Sequence, residues 1–242
     1  MKKLIIFLFV IYINTVAQES DVKINYQGKD YTKLKHAWIA QWITHPTEST
    51  LDFGVFFFRK DFHLTEVPHE FLIYTSADNK YRLFVNGNYV GFGPATGDIN
   101  NYFYDTYDIS KYLQIGKNVI AVEVINFGEF RRAAQQTFQT AFILQSKDTS
   151  LANLNTGQTN WKVTKNNAYS YIPFTPDSLK TYYAAGPGEL IDYKHFPSNW
   201  NQINYNDTIW QNARRATVEF AVGKGFLYGS TWFLVERNIP YL

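Results

Sequence analysis

The sequence predicts an all-β protein built as a β-sandwich, and three observations carry that expectation. Aromatic residues make up 18% of the 242 residues, with 20 Phe and 18 Tyr, and such rings favour the pleated, half-buried surface of a sheet. Short apolar runs recur between turn signals from Gly54 onward, which is the sequence form of two packed antiparallel sheets. No stretch of about a dozen residues sustains a 3.6-residue apolar period, so helices should be single turns. The same pattern excludes a coiled coil, and the 45% hydrophobic content excludes a disordered chain.

The chain opens with Lys2-Lys3, an unbroken apolar run from Leu4 to Ile13, and Thr15-Val16-Ala17. This is the order of a secretory signal peptide over residues 1–17, cleaved before Gln18, and it predicts a periplasmic or secreted protein. The run is about ten residues long, against the roughly 20 that a spanning helix needs, so no transmembrane segment is expected in the mature protein. Removing Lys2 and Lys3 balances the 23 basic and 21 acidic residues, and a neutral chain leaves no electrostatic footprint for nucleic acid. With no Cys there is no disulfide framework; a chain of this size relies on its core instead.

Strand expectations follow in order. Val55 to Leu64, Phe71 to Thr75 and Tyr81 to Val85 are apolar and aromatic runs. The third leads into Asn86-Gly87, the dipeptide of a two-residue type I′ turn, with Tyr89 to Phe92 as the returning strand. Tyr102 to Tyr107 alternates aromatic and polar residues, and Asp108 can cap a single turn over Ile109–Leu113. Asn118 to Phe127 is apolar on both faces and should lie centrally, packed on both sides. Ala141 to Leu144, Trp161 to Thr164, Leu190 to Tyr193 and Thr217 to Phe220 complete the set, with a polar loop over residues 148–160. The expected organisation is a sandwich domain over residues 18–145, followed by a second β module or an extension of the sandwich over 146–242.

Chemistry is sparse. The five His show no metal-binding spacing, and Gly91 to Gly97 matches neither a phosphate loop nor a dinucleotide fingerprint. Glu129, Glu189 and Asp192 are carboxylates that could form a glycosidase pair, but their separation, which that chemistry requires, is not set by the sequence. Three polar knots interrupt the aromatic strands: Ser76-Ala77-Asp78-Asn79, Gly97 to Tyr102, and Asn126-Phe127-Gly128-Glu129. Oxygens converging from strand ends suit a hard cation such as Ca²⁺, and an aromatic ring beside them suits a sugar face. Asx turns at strand ends are the alternative.

The run Ser76-Ala77-Asp78-Asn79-Lys80-Tyr81-Arg82-Leu83-Phe84-Val85-Asn86-Gly87, with Gly93-Pro94-Ala95 and Asn126-Phe127-Gly128-Glu129, resembles the N-terminal region of bacterial α-L-rhamnosidases. The likeness continues through Trp161-Lys162-Val163, Asp207-Thr208-Ile209-Trp210 and Arg237-Asn238-Ile239-Pro240. It implies a jelly-roll, galactose-binding-like sandwich that precedes an (α/α)₆ catalytic barrel carrying an inverting carboxylate pair. That barrel would begin about where the chain stops, so the expectation is a non-catalytic module, a fragment whose barrel is lost or encoded separately, or a structural buttress. A related rhamnose-binding module uses calcium, an Asp-Asn pair, a later Asn and an aromatic platform. By that resemblance Asp78, Asn79 and Asn126 would hold Ca²⁺ and contact a rhamnose-containing glycan, with Tyr102 as the platform. Asp78 is expected at a solvent-facing strand end.

Overall fold

The structure is a computed structural model and describes residues 25–26, 29–30, 38–98, 101–132, 135–137, 139–172, 188–216 and 232–240. The predicted leader and the predicted strand Thr217–Phe220 lie outside these residues. In chain order the strands are β1 (Asn25–Tyr26), β2 (Lys29–Asp30), β3 (Ile43–Thr44), β4 (Gly54–Leu64), β5 (Leu72–Asp78), β6 (Lys80–Val85), β7 (Asn88–Gly93) and β8 (Tyr102–Asp108). They continue as β9 (Gly116–Asn126), β10 (Ala141–Ser146), β11 (Lys162–Lys165), β12 (Tyr169–Ile172), β13 (Gly188–Ile191), β14 (Gln211–Asn212), β15 (Arg214–Arg215) and β16 (Leu234–Glu236). Among the described residues, helix is confined to short 3₁₀ turns such as Ser110–Tyr112. There the Asp108 carboxylate accepts from the backbone N–H groups of Ser110 and Phe71, both at 3.0 Å.

Two six-stranded sheets face each other. The first runs β15-β3-β10-β5-β8-β16 and the second β14-β11-β4-β9-β6-β7, with β1-β2 and β12-β13 as separate ribbons. Residues beyond 146 therefore enter both sheets. β9 is central, paired with β4 from Gly54↔Asn126 to Leu64↔Gly116 and with β6 on its other side. Its two apolar faces have separate destinations. Ile120, Val122 and Val124 meet Phe56, Phe58, Leu83, Ile73, Phe142 and Leu144 between the sheets. Ala121 instead joins Val55, Phe57, Trp200 and Trp210 on the outer face of the second sheet. The first sheet is covered outside as well, by Ala40 and Trp232 against Tyr102, Tyr104, Ile143 and Leu234.

The outer layer on the second sheet is fastened by Arg59, which is fully buried. Its Nε donates to Asp207 Oδ2 at 2.9 Å, and Nη1 donates to the carbonyls of Trp200 and Gln202. Its guanidinium also lies 5.3 Å from the centroid of Tyr205. Trp200 stacks flat on Phe57, with centroids 3.8 Å apart and planes 3° from parallel. Trp200 also meets Phe84 of β6 edge-on, with centroids 5.6 Å apart, so residues 196–210 reach the turn end of the β6–β7 hairpin, while Arg82 and Phe92 nearer its other end stay at the surface.

The β6–β7 hairpin follows its turn chemistry, with φ of 51° at Asn86 and 82° at Gly87, both in the region a type I′ turn demands. Asn86 ties the turn inward, accepting from Val119 N at 2.8 Å and donating to Asn118 Oδ1 at 2.7 Å. Between β5 and β6 the chain passes from one sheet to the other across the Asp78-Asn79 peptide, which is cis.

Candidate functional site

The crossing at Asp78-Asn79 brings the sequence-predicted residues together, but inside the fold. Asp78, Asn79, Tyr102 and Asn126 are all at most 3% exposed. The expectation of a solvent-facing strand end is thus corrected: Asp78 is the last residue of β5, paired with Ala141 of β10 and roofed by Trp232. Its Oδ1 accepts from Thr137 Oγ1 at 2.6 Å and from Asn79 Nδ2, and its Oδ2 from Trp232 Nε1 at 2.9 Å. Asn79 Oδ1 accepts the Phe127 N–H at 2.8 Å, and Asn126 Oδ1 accepts the Gly128 N–H at 2.7 Å. Tyr102 donates to the Ala77 carbonyl at 3.2 Å and meets Trp42 edge-on. Burial and the Asp78 carboxylate hold the Tyr102 phenol well above its usual value.

These are hard oxygens, the type calcium prefers. Around the carboxylate, however, an indole N–H, a hydroxyl and an amide NH₂ converge with their hydrogens pointing in. That set fits a buried anion and does not fit a cation, whose approach would require those donors to leave. Among the described residues no three His, Cys, Asp or Glu side chains gather as a metal cluster. Tyr102, packed on Trp42 and enclosed, offers no open ring face.

A second arrangement lies on the outer face of the second sheet, beside the Trp200 layer. Strand alternation sends Tyr81, Leu83 and Val85 of β6 into the core and leaves Arg82 outside. Register then sets Phe92, Arg82 and Glu123 in one row across β7, β6 and β9. With Lys80, Tyr89, Ile125 and Glu189 they line a groove of about 390 Å³. Arg82 Nε and Nη2 both donate to Glu123 Oε1, at 2.9 and 2.5 Å, and Nη2 also donates to the Tyr169 hydroxyl at 3.1 Å. Desolvation raises the Glu123 carboxyl above its usual value and Glu189 adds to the rise, against the opposing pull of Arg82. Lys80, largely desolvated, is lowered to about 8, and its Nζ donates to Pro94 O at 2.6 Å and Thr96 Oγ1 at 2.9 Å. Tyr89 and Phe92 remain 51% and 54% exposed at the rim.

Sequence reading missed Arg82, Phe92 and Glu123. The available signal was Glu123, a lone charge inside the apolar run from Val119 to Ile125. Of the three carboxylates named from sequence, Glu189 meets a carboxylate neighbour, but that neighbour is Glu123. Asp192 is engaged by the Lys194 N–H and His195 in its own turn, and Glu129 is exposed on a 3₁₀ turn. A further buried carboxylate, Asp105, accepts from Tyr81 and from Arg237 Nη1 at 3.2 Å.

The family model of the alpha-L-rhamnosidase N-terminal domain matches residues 67–228. A GH78 family rhamnosidase of Bacillus sp. GL1 superposes with a TM-score of 0.66 at 26% identity, covering 85% of this chain and 20% of that one. The alpha-L-rhamnosidase of Dictyoglumus thermophilum gives 0.55 at 21% identity, covering 76% and 22%. That of Aspergillus terreus gives 0.53 at 18%, covering 74% and 21%. The chain thus spans about a fifth of the length of each of these enzymes. With the family model covering well over half of the chain, and the same two-sheet sandwich found in those enzymes, this protein belongs to the alpha-L-rhamnosidase N-terminal domain family.

Proposed function

We propose that this chain acts as a non-catalytic, carbohydrate-binding β-sandwich of an α-L-rhamnosidase-like protein, working outside the cytoplasm on rhamnose-containing polysaccharide. One observation carries the non-catalytic half: each buried carboxylate among the described residues is held by protein donors. Asp78 is tied to Trp232 and Thr137, Asp105 to Tyr81 and Arg237, and Glu123 to Arg82. Inverting hydrolysis requires two carboxyl groups free to move protons and roughly 6.5–9.5 Å apart. Membership of the rhamnosidase family supports the sugar class, and hydrolysis is assigned to a catalytic barrel outside this sandwich.

The test uses the pure full chain with an aryl α-L-rhamnoside and, separately, calorimetry with rhamnose oligosaccharides. No turnover is expected, together with measurable binding heat. Turnover lost in Glu189→Gln would overturn the non-catalytic reading, and absence of heat would leave a structural buttress. The nearness of the Asp78-Asn79 crossing to Asn126 at the end of β9 leaves calcium-assisted binding at that cluster as a second reading. It requires the protein donors around Asp78 to give way and predicts that a chelator abolishes the heat.

A further inference from the structure

We propose that the groove across β6, β7 and β9 is a subsite for a neutral pyranose ring of a glycan, separate from the Asp78 cluster. The proposal rests on the carbohydrate-binding reading above and gives it a place. A pyranose has one apolar face and a rim of hydroxyls, so its site needs an exposed ring beside fixed donors and acceptors. The groove supplies both. Tyr89 and Phe92 are aromatic residues left more than half exposed on a sheet whose other outward rings are covered by Trp200 and Trp210.

Polar groups stand one and two strands away from Phe92, Arg82 on β6 and Glu123 on β9. Both Arg82 bonds fall on Glu123 Oε1, and Oε2 takes no donor among the described residues, so it can accept from a sugar hydroxyl. Arg82 is itself anchored twice, to Glu123 and to Tyr169, which fixes the guanidinium in place before any ligand arrives. Such pre-organisation lowers the ordering cost of binding.

Charge selects the class of sugar. Lys80 and Arg82 stand against Glu123 and Glu189, two of each sign, so neither an acidic nor a basic residue is favoured over a neutral one. The volume of about 390 Å³ lies near the low end of the roughly 300–1,000 Å³ of small-molecule sites, as suits one or two rings of a chain passing across an open face.

The experiment compares wild type, Phe92→Ala, Tyr89→Ala and Glu189→Gln by calorimetry with L-rhamnose and an α-L-rhamnose oligosaccharide, with and without a chelator. All three positions lie on the surface, and unchanged melting confirms that the variants fold. The expected result is a loss of affinity of about tenfold in Phe92→Ala, smaller losses in the other two, and no response to the chelator. Wild-type affinity in all three variants would overturn the groove while leaving carbohydrate binding intact. Absence of wild-type heat would remove the carbohydrate-binding reading and the groove with it.

Discussion

Asp78 shows how a single side chain can carry one meaning in sequence and another in the fold. As part of a polar Asx-rich knot it reads as an exposed ligand, yet its carboxylate is a buried anion that accepts from Thr137, Asn79 and Trp232. Truncation should therefore damage the fold. Asp78→Ala removes the acceptor shared by the Trp232 N–H, the Thr137 hydroxyl and the Asn79 amide, and a buried polar bond lost in this way costs about 1–3 kcal/mol. Urea denaturation is expected to show a loss of about 1–3 kcal/mol, and a variant as stable as wild type would contradict a structural role for this carboxylate. His45 gives the pH counterpart. Its Nδ1 accepts the N–H groups of Thr47 and Glu48 at 3.3 and 3.1 Å, and burial lowers its pKa below 6.5, opposed by Glu48 and aided by Lys165. Below pH 6.5 the unfolded chain takes up a proton that the folded chain resists, so stability falls as pH falls through that range. His45→Asn should flatten this slope between about pH 5 and 7, measured by denaturation at each pH. An unchanged slope would assign it elsewhere.

Among elements, the segment 196–210 matters most for function because it decides how much of the second sheet's outer face is left open. Trp200→Ala removes the ring stacked on Phe57 and should cost about 3–5 kcal/mol, the range for deleting a large buried aromatic. A cost below about 1 kcal/mol would mean that Arg59 and the packing of Phe196 and Trp210 on Phe57 hold the segment without it. Elements were legible from sequence where their cause is local. Asn86-Gly87 dictates its own turn, and β9 announces its central place by being apolar on both faces. The assignment of strands to sheets was not legible, because β5 and β6 are separated only by Asn79 yet lie in different layers.

At the scale of the whole molecule, distant chemistry meets through register. Positions 82, 92, 123 and 189 come from four strands, and only pairing across β7, β6 and β9, with β13 beside them, makes a groove of them. The partners of Asp78 are equally remote, 59 and 154 residues along the chain. No local pattern could have shown that its oxygens were already taken, whereas the all-β architecture, which depends on summed composition, was readable at once.

The parallel strand β16 covers the edge of the first sheet beside β8, and this has a bearing on how the sandwich is completed. β16 begins more than a hundred residues after β9 ends, so the strands of both sheets can pair before Trp232 and Leu234 arrive. Until then β8 stands as a bare edge able to pair with a neighbouring unfinished chain, and Asp78 waits without its indole. Crowding of partly folded chains wherever this sandwich folds is thus the setting in which it is most exposed to misassembly.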